Sequence, residues 1–112
     1  MEVPLEMEVE EARVWVDELG GPTRRLVDCR EEDEWSLCRI EGAEWIPLSR
    51  FAELAPVKLG DQAAEIVVYC HHGVRSMHAT QWLRREGYDK TRSLRGGIDR
   101  WADLVDPEMR RY

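Results

Sequence analysis

The sequence predicts an α/β domain with a mostly parallel central sheet flanked by helices. The run Glu65–Cys70 (EIVVYC) is β-branched and apolar on both faces, as the central strand of a buried parallel sheet must be. Strand-like and helix-like segments alternate along the chain, the order that βαβ units produce. A length of 112 residues can bury one ordinary core without disulfides or metals, so residues 1–112 are read as one domain.

The elements follow in order. Val9, Ala12, Val16 and Leu19 fall at helical spacing, and Gly20-Gly21-Pro22 stops that helix. Arg25–Cys29 is a short apolar strand, Glu31–Leu37 a short helix, and Ala43–Ile46 a second short strand ended by Pro47. Ser49 is placed to cap a segment running through Leu54. After the central strand, Ser76–Glu86 reads as a helix with Ala79, Trp82 and Leu83 facing inward, ended by Gly87. Arg92–Leu94 is a weaker strand. Gly96-Gly97 breaks the chain, and Ile98–Val105 forms a last helix before Pro107.

Composition narrows the function classes. With 43% hydrophobic and 35% charged residues, the chain suits a soluble globular protein and not a disordered tail. It has no apolar run of about 18 residues, which argues against a membrane span. The acidic start MEVPLEMEVEE lacks the apolar centre of a signal peptide, so the expected compartment is the cytoplasm. Three cysteines with no CxxC pair argue against a disulfide framework and against structural zinc. The net charge of -7 disfavours nucleic acid. It is unevenly placed: residues 1–20 hold seven acids and one base, residues 71–100 three acids and seven bases. The local excess suits a small anionic substrate, although Arg84 and Arg85 read as a solvated helix face. The acidic start likewise reads as a solvated face. No apolar patch or heptad asks for a partner copy, so a monomer is expected.

The chemistry concentrates in Cys70-His71-His72-Gly73-Val74-Arg75-Ser76, between the carboxyl end of the central strand and a helix start. Backbone N–H groups in such a loop can converge as an anion-binding nest, and the helix dipole adds partial positive charge. A cysteine sulfur at that focus is favoured as thiolate, the form that attacks sulfur. Gly73 permits positive φ. Arg75 offers a fixed cation able to hold an oxyanion in bidentate fashion. Either His71 or His72 would favour the thiolate if protonated, and Ser76 reads as an N-cap. Free cysteines are often simply buried; the whole constellation outweighs that reading for Cys70.

The loop resembles the active-site loop of the rhodanese family, in which a Cys with a short Gly- and Arg-containing loop follows the central strand. Three further segments resemble family motifs in the expected order: Leu26–Glu31 (LVDCRE), Ile40–Leu48 (IEGAEWIPL) and Leu94–Trp101 (LRGGIDRW). Together they span residues 26–101. The stretch Val105–Tyr112 also resembles the rhodanese domains fused to ubiquitin-activating-like enzymes that make sulfur-carrier thiocarboxylates. One departure is Cys38-Arg39, where family members often have Gly-His.

The resemblance implies a sulfurtransferase that carries sulfur as a persulfide on Cys70. Its donor would be thiosulfate or another persulfide; its acceptor would be cyanide, a thiol or a sulfur-carrier protein. His71, His72, Gly73, Val74, Arg75 and Ser76 would bind the substrate, and Asp28 and Arg30 would brace the loop. No metal or organic cofactor is required. The rival readings are a noncatalytic interaction module and a phosphatase or arsenate reductase. The latter use a Cys-x5-Arg loop, whereas here Arg75 stands five residues after Cys70. Cys29 is expected to pack as a small hydrophobe; for Cys38 the readings are a resolving thiol for Cys70 and an inert residue, and the inert one is expected because nothing in the spacing shows that the two meet. Trp35, Trp45 and Trp101 are expected to be core and rim packing, and His78 a surface residue.

Overall fold

The computed structural model describes residues 3–21 and 23–112. Met1, Glu2 and Pro22 lie outside them, so the expected part of Pro22 in stopping the first helix does too. The elements are β1 (Glu6–Met7), α1 (Val9–Trp15), β2 (Arg24–Asp28), α2 (Glu32–Leu37), β3 (Glu44–Trp45), α3 (Phe51–Leu59), β4 (Glu65–Tyr69), α4 (Val74–Arg85), β5 (Thr91–Leu94) and α5 (Gly97–Leu104). Short 3-10 turns follow α1 (Val16–Glu18) and precede α3 (Leu48–Arg50).

Among the described residues the sheet has the order β1-β5-β4-β2-β3, and every pairing is parallel, as expected. The β-branched run β4 lies at its centre, between β5 and β2. Side-chain alternation along β2 and β4 sends successive residues to opposite faces. Val27, Cys29, Ile66, Val68 and Cys70 join Phe51, Ala55, Leu59, Ala79 and Leu83 in one core, under α3 and α4. Leu26, Val67, Tyr69 and Leu94 join Val9, Ala12, Trp15, Ile98 and Trp101 in the other, under α1 and α5. Burying each aliphatic side chain contributes roughly 1.5–3 kcal/mol, which is why a strand of EIVVY type belongs between two helical layers.

Several element boundaries differ from expectation. The first helix closes at Trp15 and tightens into a 3-10 turn, leaving Leu19 extended; Trp15 joins Val9 and Ala12 as a buried residue, while Val16 and Leu19 pack against the same core only partly buried. Ser49 is not a helix cap. It sits within the 3-10 turn and donates its hydroxyl to Glu31 (2.7 Å), while α3 starts at Phe51 and runs past Pro56 to Leu59. Helix α4 begins two residues early, at Val74, with Gly73 as its cap at φ 111°. Ser76 therefore lies inside the first turn. Trp82 is only half-buried, meeting Phe51 edge-on at 6.0 Å. Arg84 does not lie idle on a solvated face: it donates to the carbonyls of Thr91 (2.8 Å) and Pro4 (2.7 Å), tying α4 to the edge of the sheet. Among the described residues, no helix is long and apolar enough to cross a membrane.

Candidate active site

The loop Cys70–Gly73 leaves the carboxyl end of β4 and enters α4. Its outer wall is fixed by α5, whose first N–H groups have no partner within their own helix. Ile98 N–H donates to the Cys70 carbonyl (2.9 Å) and Asp99 N–H to the His71 carbonyl (3.1 Å). Such close approach requires glycine at 97. A Cβ there would lie 2.3 Å from the His71 oxygen and 2.5 Å from the Cys70 oxygen. The Gly-Gly pair is thus a packing requirement of the loop as well as a chain break.

Cys70 Sγ sits at the start of α4 as a buried acceptor. It receives the N–H of Gly73 (3.1 Å) and of Ser76 (3.4 Å), with the Ser76 hydroxyl 3.5 Å away. That hydroxyl also lies 2.7 Å from Ser93 Oγ of β5, so Ser76 links the sulfur to the sheet. The Cys70 pKa is held down to about 4. The thiol of Cys29 beside it is the largest cause, and the Ser76 hydroxyl and the Ser76 and Gly73 N–H groups add to it against the opposing effect of burial. The other side of that coupling pushes the Cys29 thiol well above its ordinary value, so Cys29 stays protonated. Among the described residues, then, Cys29 meets the loop cysteine, whereas Cys38 packs in the opposite core with its sulfur 3.8 Å from Arg30 Nη1.

This titration has a direct readout. The thiolate ultraviolet absorbance of the wild type minus that of Cys70→Ser is expected to appear with a midpoint near pH 4. The folded pKa is depressed, so the anion persists above that pH and is lost below it. A midpoint close to the ordinary thiol value of about 8.5 would contradict the geometry.

Arg75 is engaged by a carboxylate beside the loop. Its guanidinium forms a two-point pair with Glu34 of α2 (2.7 and 2.9 Å), so it anchors the loop to α2 and is not a free oxyanion clamp. The pair draws the Glu34 carboxyl down to about 2. The stability carried by this carboxylate is full above its ordinary pKa and is lost as pH falls toward 2. Glu34 also accepts from the Tyr112 hydroxyl (2.7 Å), which accepts from Arg30 Nη1 (2.9 Å). Arg30 in turn grips Asp28 through Nε and Nη2, with both side chains fully buried. One polar chain, Arg75–Glu34–Tyr112–Arg30–Asp28, therefore runs from the loop to the end of β2. Glu34 and Tyr112 are the members that sequence reasoning did not single out; their spacing along the chain carries no signal for them.

His71 lies between His72 and Tyr112, each ring 3.9 Å away, and burial lowers its pKa. Asp99 faces both histidines (4.0 and 3.6 Å), giving three potential donor atoms within 4.8 Å of one another, but its carboxylate is already paired with Arg111 (2.7 Å). Val74 is 68% exposed at the rim. Beside it an open groove of about 800 Å³ runs past His72, Gly73, Met77, Arg95 and Arg100, but Glu6 and Glu8 line it too and Glu8 pairs with Arg95 (3.2 Å), so the groove carries mixed charge and not a basic excess. Trp35 and Trp45 stack on each other with ring centroids 6.3 Å apart, and His78 is exposed.

The family model for the rhodanese-like domain matches residues 11–104. A probable adenylyltransferase/sulfurtransferase, MoeZ of Mycobacterium tuberculosis, is 34% identical over 102 residues, covering 91% of this chain and 26% of that protein. A sulfurtransferase of Allochromatium vinosum is 34% identical over 89 residues, 74% of this chain and 79% of that protein. The human single-domain sulfurtransferase TSTD1 superposes with a TM-score of 0.78 at 25% identity, over 90% of this chain and 97% of that one. The chain spans about a quarter of the length of MoeZ.

Proposed function

We propose, from the premise that this chain belongs to the rhodanese-like domain family, that it is a sulfurtransferase whose carrier atom is Cys70 Sγ. The observation that carries this reading is the placement of that sulfur as an acceptor of the Gly73 and Ser76 N–H groups, at a pKa near 4. A thiolate is thus present at neutral pH without a separate base. It attacks the outer sulfur of thiosulfate or of a persulfide donor. With thiosulfate the S–S bond breaks and sulfite leaves, and Cys70 becomes a persulfide. The negative outer sulfur is stabilised by the dipole of α4 and by loop N–H groups between His71 and Ser76. A thiol, cyanide or a sulfur-carrier protein then takes that sulfur and restores the thiolate, a double displacement.

Asp28 and Arg30 act here by holding the chain end and Tyr112 against the loop. In the adjoining groove Arg100 offers a cation to an anionic donor, Arg95 being paired with Glu8. The exposed rim at Val74 suits a protein acceptor. The reaction needs a reduced cysteine, which fits the cytoplasm. A phosphatase reading is weakened because Arg75, the natural phosphoryl clamp, is engaged by Glu34.

Intact mass after incubation with thiosulfate tests the proposal. The wild type is expected to gain one sulfur that a reductant removes, and Cys70→Ser to gain none. A wild type that stays unmodified with thiosulfate and with a small persulfide donor would favour a noncatalytic module instead.

A further inference from the structure

Cys29 and Cys70 continue two paired strands. The β2–β4 register aligns Asp28 with Tyr69, and Cys29 N–H donates to the Tyr69 carbonyl (3.0 Å), so the next aligned positions are the two cysteines. Aligned residues of parallel strands point to the same face, and both side chains lie in the core under α3 and α4. Neighbouring strands stand about 4.8 Å apart, inside the Cα separation of roughly 4.4–6.8 Å that a disulfide spans. The nucleophile of the proposed reaction thus has a second thiol as its cross-strand neighbour, buried with it. The coupling of their titrations agrees with that contact: Cys29 is held protonated while Cys70 is ionised.

We propose that Cys29 is an internal resolving thiol, which discharges an unclaimed Cys70 persulfide as hydrosulfide by closing a Cys29–Cys70 disulfide. This rests on Cys70 being the sulfur carrier. In the step, Cys29 Sγ attacks the inner sulfur, Cys70 Sγ. The new bond is Cys29 Sγ–Cys70 Sγ, and the bond that breaks joins Cys70 Sγ to the outer sulfur. The outer sulfur leaves with the electron pair and takes the Cys29 proton, departing as HS⁻. The two cysteines are oxidised and the sulfane sulfur is reduced, so the step balances without an external reagent. A dithiol reductant resets the pair. The chain then has two outputs. An acceptor that reaches the loop takes the sulfur directly; without one, the sulfur is released as sulfide and the domain is left oxidised and inactive until a dithiol reduces it.

The test loads the full chain with inorganic polysulfide, which sulfurates a thiolate without enzymatic turnover, and removes the excess by gel filtration. Wild type, Cys29→Ser and Cys29→Ala are followed by intact mass, by released sulfide and by peptide mapping. The wild type is expected to lose its extra sulfur with matching sulfide release and to yield a Cys29–Cys70 disulfide peptide. Both variants should hold the persulfide about tenfold longer or more, since the attacking thiol is gone. Equal persulfide lifetimes in wild type and variants, or a disulfide that joins Cys38, would overturn the proposal. A parallel sample loaded with thiosulfate separates the two readings. Failure of Cys29→Ser to load there, with Cys29-dependent release from the polysulfide-loaded protein, would sink the donor assignment and leave the resolving role standing.

Discussion

Asp28→Ala is expected to lower stability by about 3–5 kcal/mol, the usual loss when one partner of a buried ion pair is removed. Asp28 and Arg30 are both fully buried, and Asp28 supplies the only carboxylate among the described groups bonded to the guanidinium. The Cys38 carbonyl, the Tyr112 hydroxyl and the faces of the Tyr69 and Tyr112 rings remain, but none carries the compensating charge. For a chain of this size each kcal/mol corresponds to roughly 4 °C, so the melting temperature at neutral pH should fall by about 12–20 °C. The paired replacement Asp28→Leu with Arg30→Met should recover most of that loss, because two apolar side chains need no counter-charge. It should not restore the Arg30–Tyr112 contact, so sulfur loading at Cys70 is expected to stay impaired where stability returns. Thermal melts and loading rates on the single and double variants separate the two effects. A single variant that melts within about 2 °C of wild type would mean that water reaches Arg30 and the pair is an ordinary surface one.

The sequence made the architecture and the loop legible for different reasons. The β-branched strand ending at Cys70 could be read because a two-sided apolar run has few other places to go. The loop could be read because its residue types and order are constrained by the helix start that follows. What stayed hidden depends on lateral neighbours, which spacing along the chain does not encode. Cys29 looks like strand filling until the register sets it beside Cys70. Cys38, the thiol at the point of departure from the family motif, belongs to the other core. Arg75 carries the residue type of an anion clamp, yet Glu34, on a different helix 41 positions away, claims it. Ser76 has the composition of a cap, but Gly73 starts the helix early and turns Ser76 into a buried hydrogen-bond partner of the sulfur. Helix α3 runs through Pro56 to Leu59 with Phe51, Ala55 and Leu59 buried, although the proline removes one backbone hydrogen bond from it.

Gly97→Ala is expected to slow sulfur loading at Cys70 by about 100-fold, the order of loss that follows a misplacement of roughly 1 Å in a reacting group. The added Cβ would meet two backbone oxygens, those of Cys70 and His71, which belong to the loop itself and cannot rotate aside as a side chain would. Either α5 retreats or the loop moves. In both cases the hydrogen bonds from Ile98 and Asp99 stretch, and the Gly73 and Ser76 N–H groups lose their aim at Cys70 Sγ. The φ of +61° at Gly97 adds backbone strain, so a control with that strain alone is needed. Gly60, at the end of α3, has φ +59° and open space where a Cβ would go. Gly60 has ψ -71°, in a tight turn closed by Asp61 N–H on the Leu59 carbonyl, so Gly60→Ala should cost more stability than the about 1–2 kcal/mol of an ordinary left-handed residue, yet leave the loading rate within about twofold of wild type, since no atom of the site moves. The thiolate absorbance should also part the two variants: its midpoint stays near pH 4 in Gly60→Ala and rises in Gly97→Ala, because the donors that stabilise the anion have been displaced. If Gly97→Ala loaded sulfur at the wild-type rate with an unmoved midpoint, the N-terminus of α5 would have no part in shaping the cradle, and the Gly-Gly pair would be a chain break only.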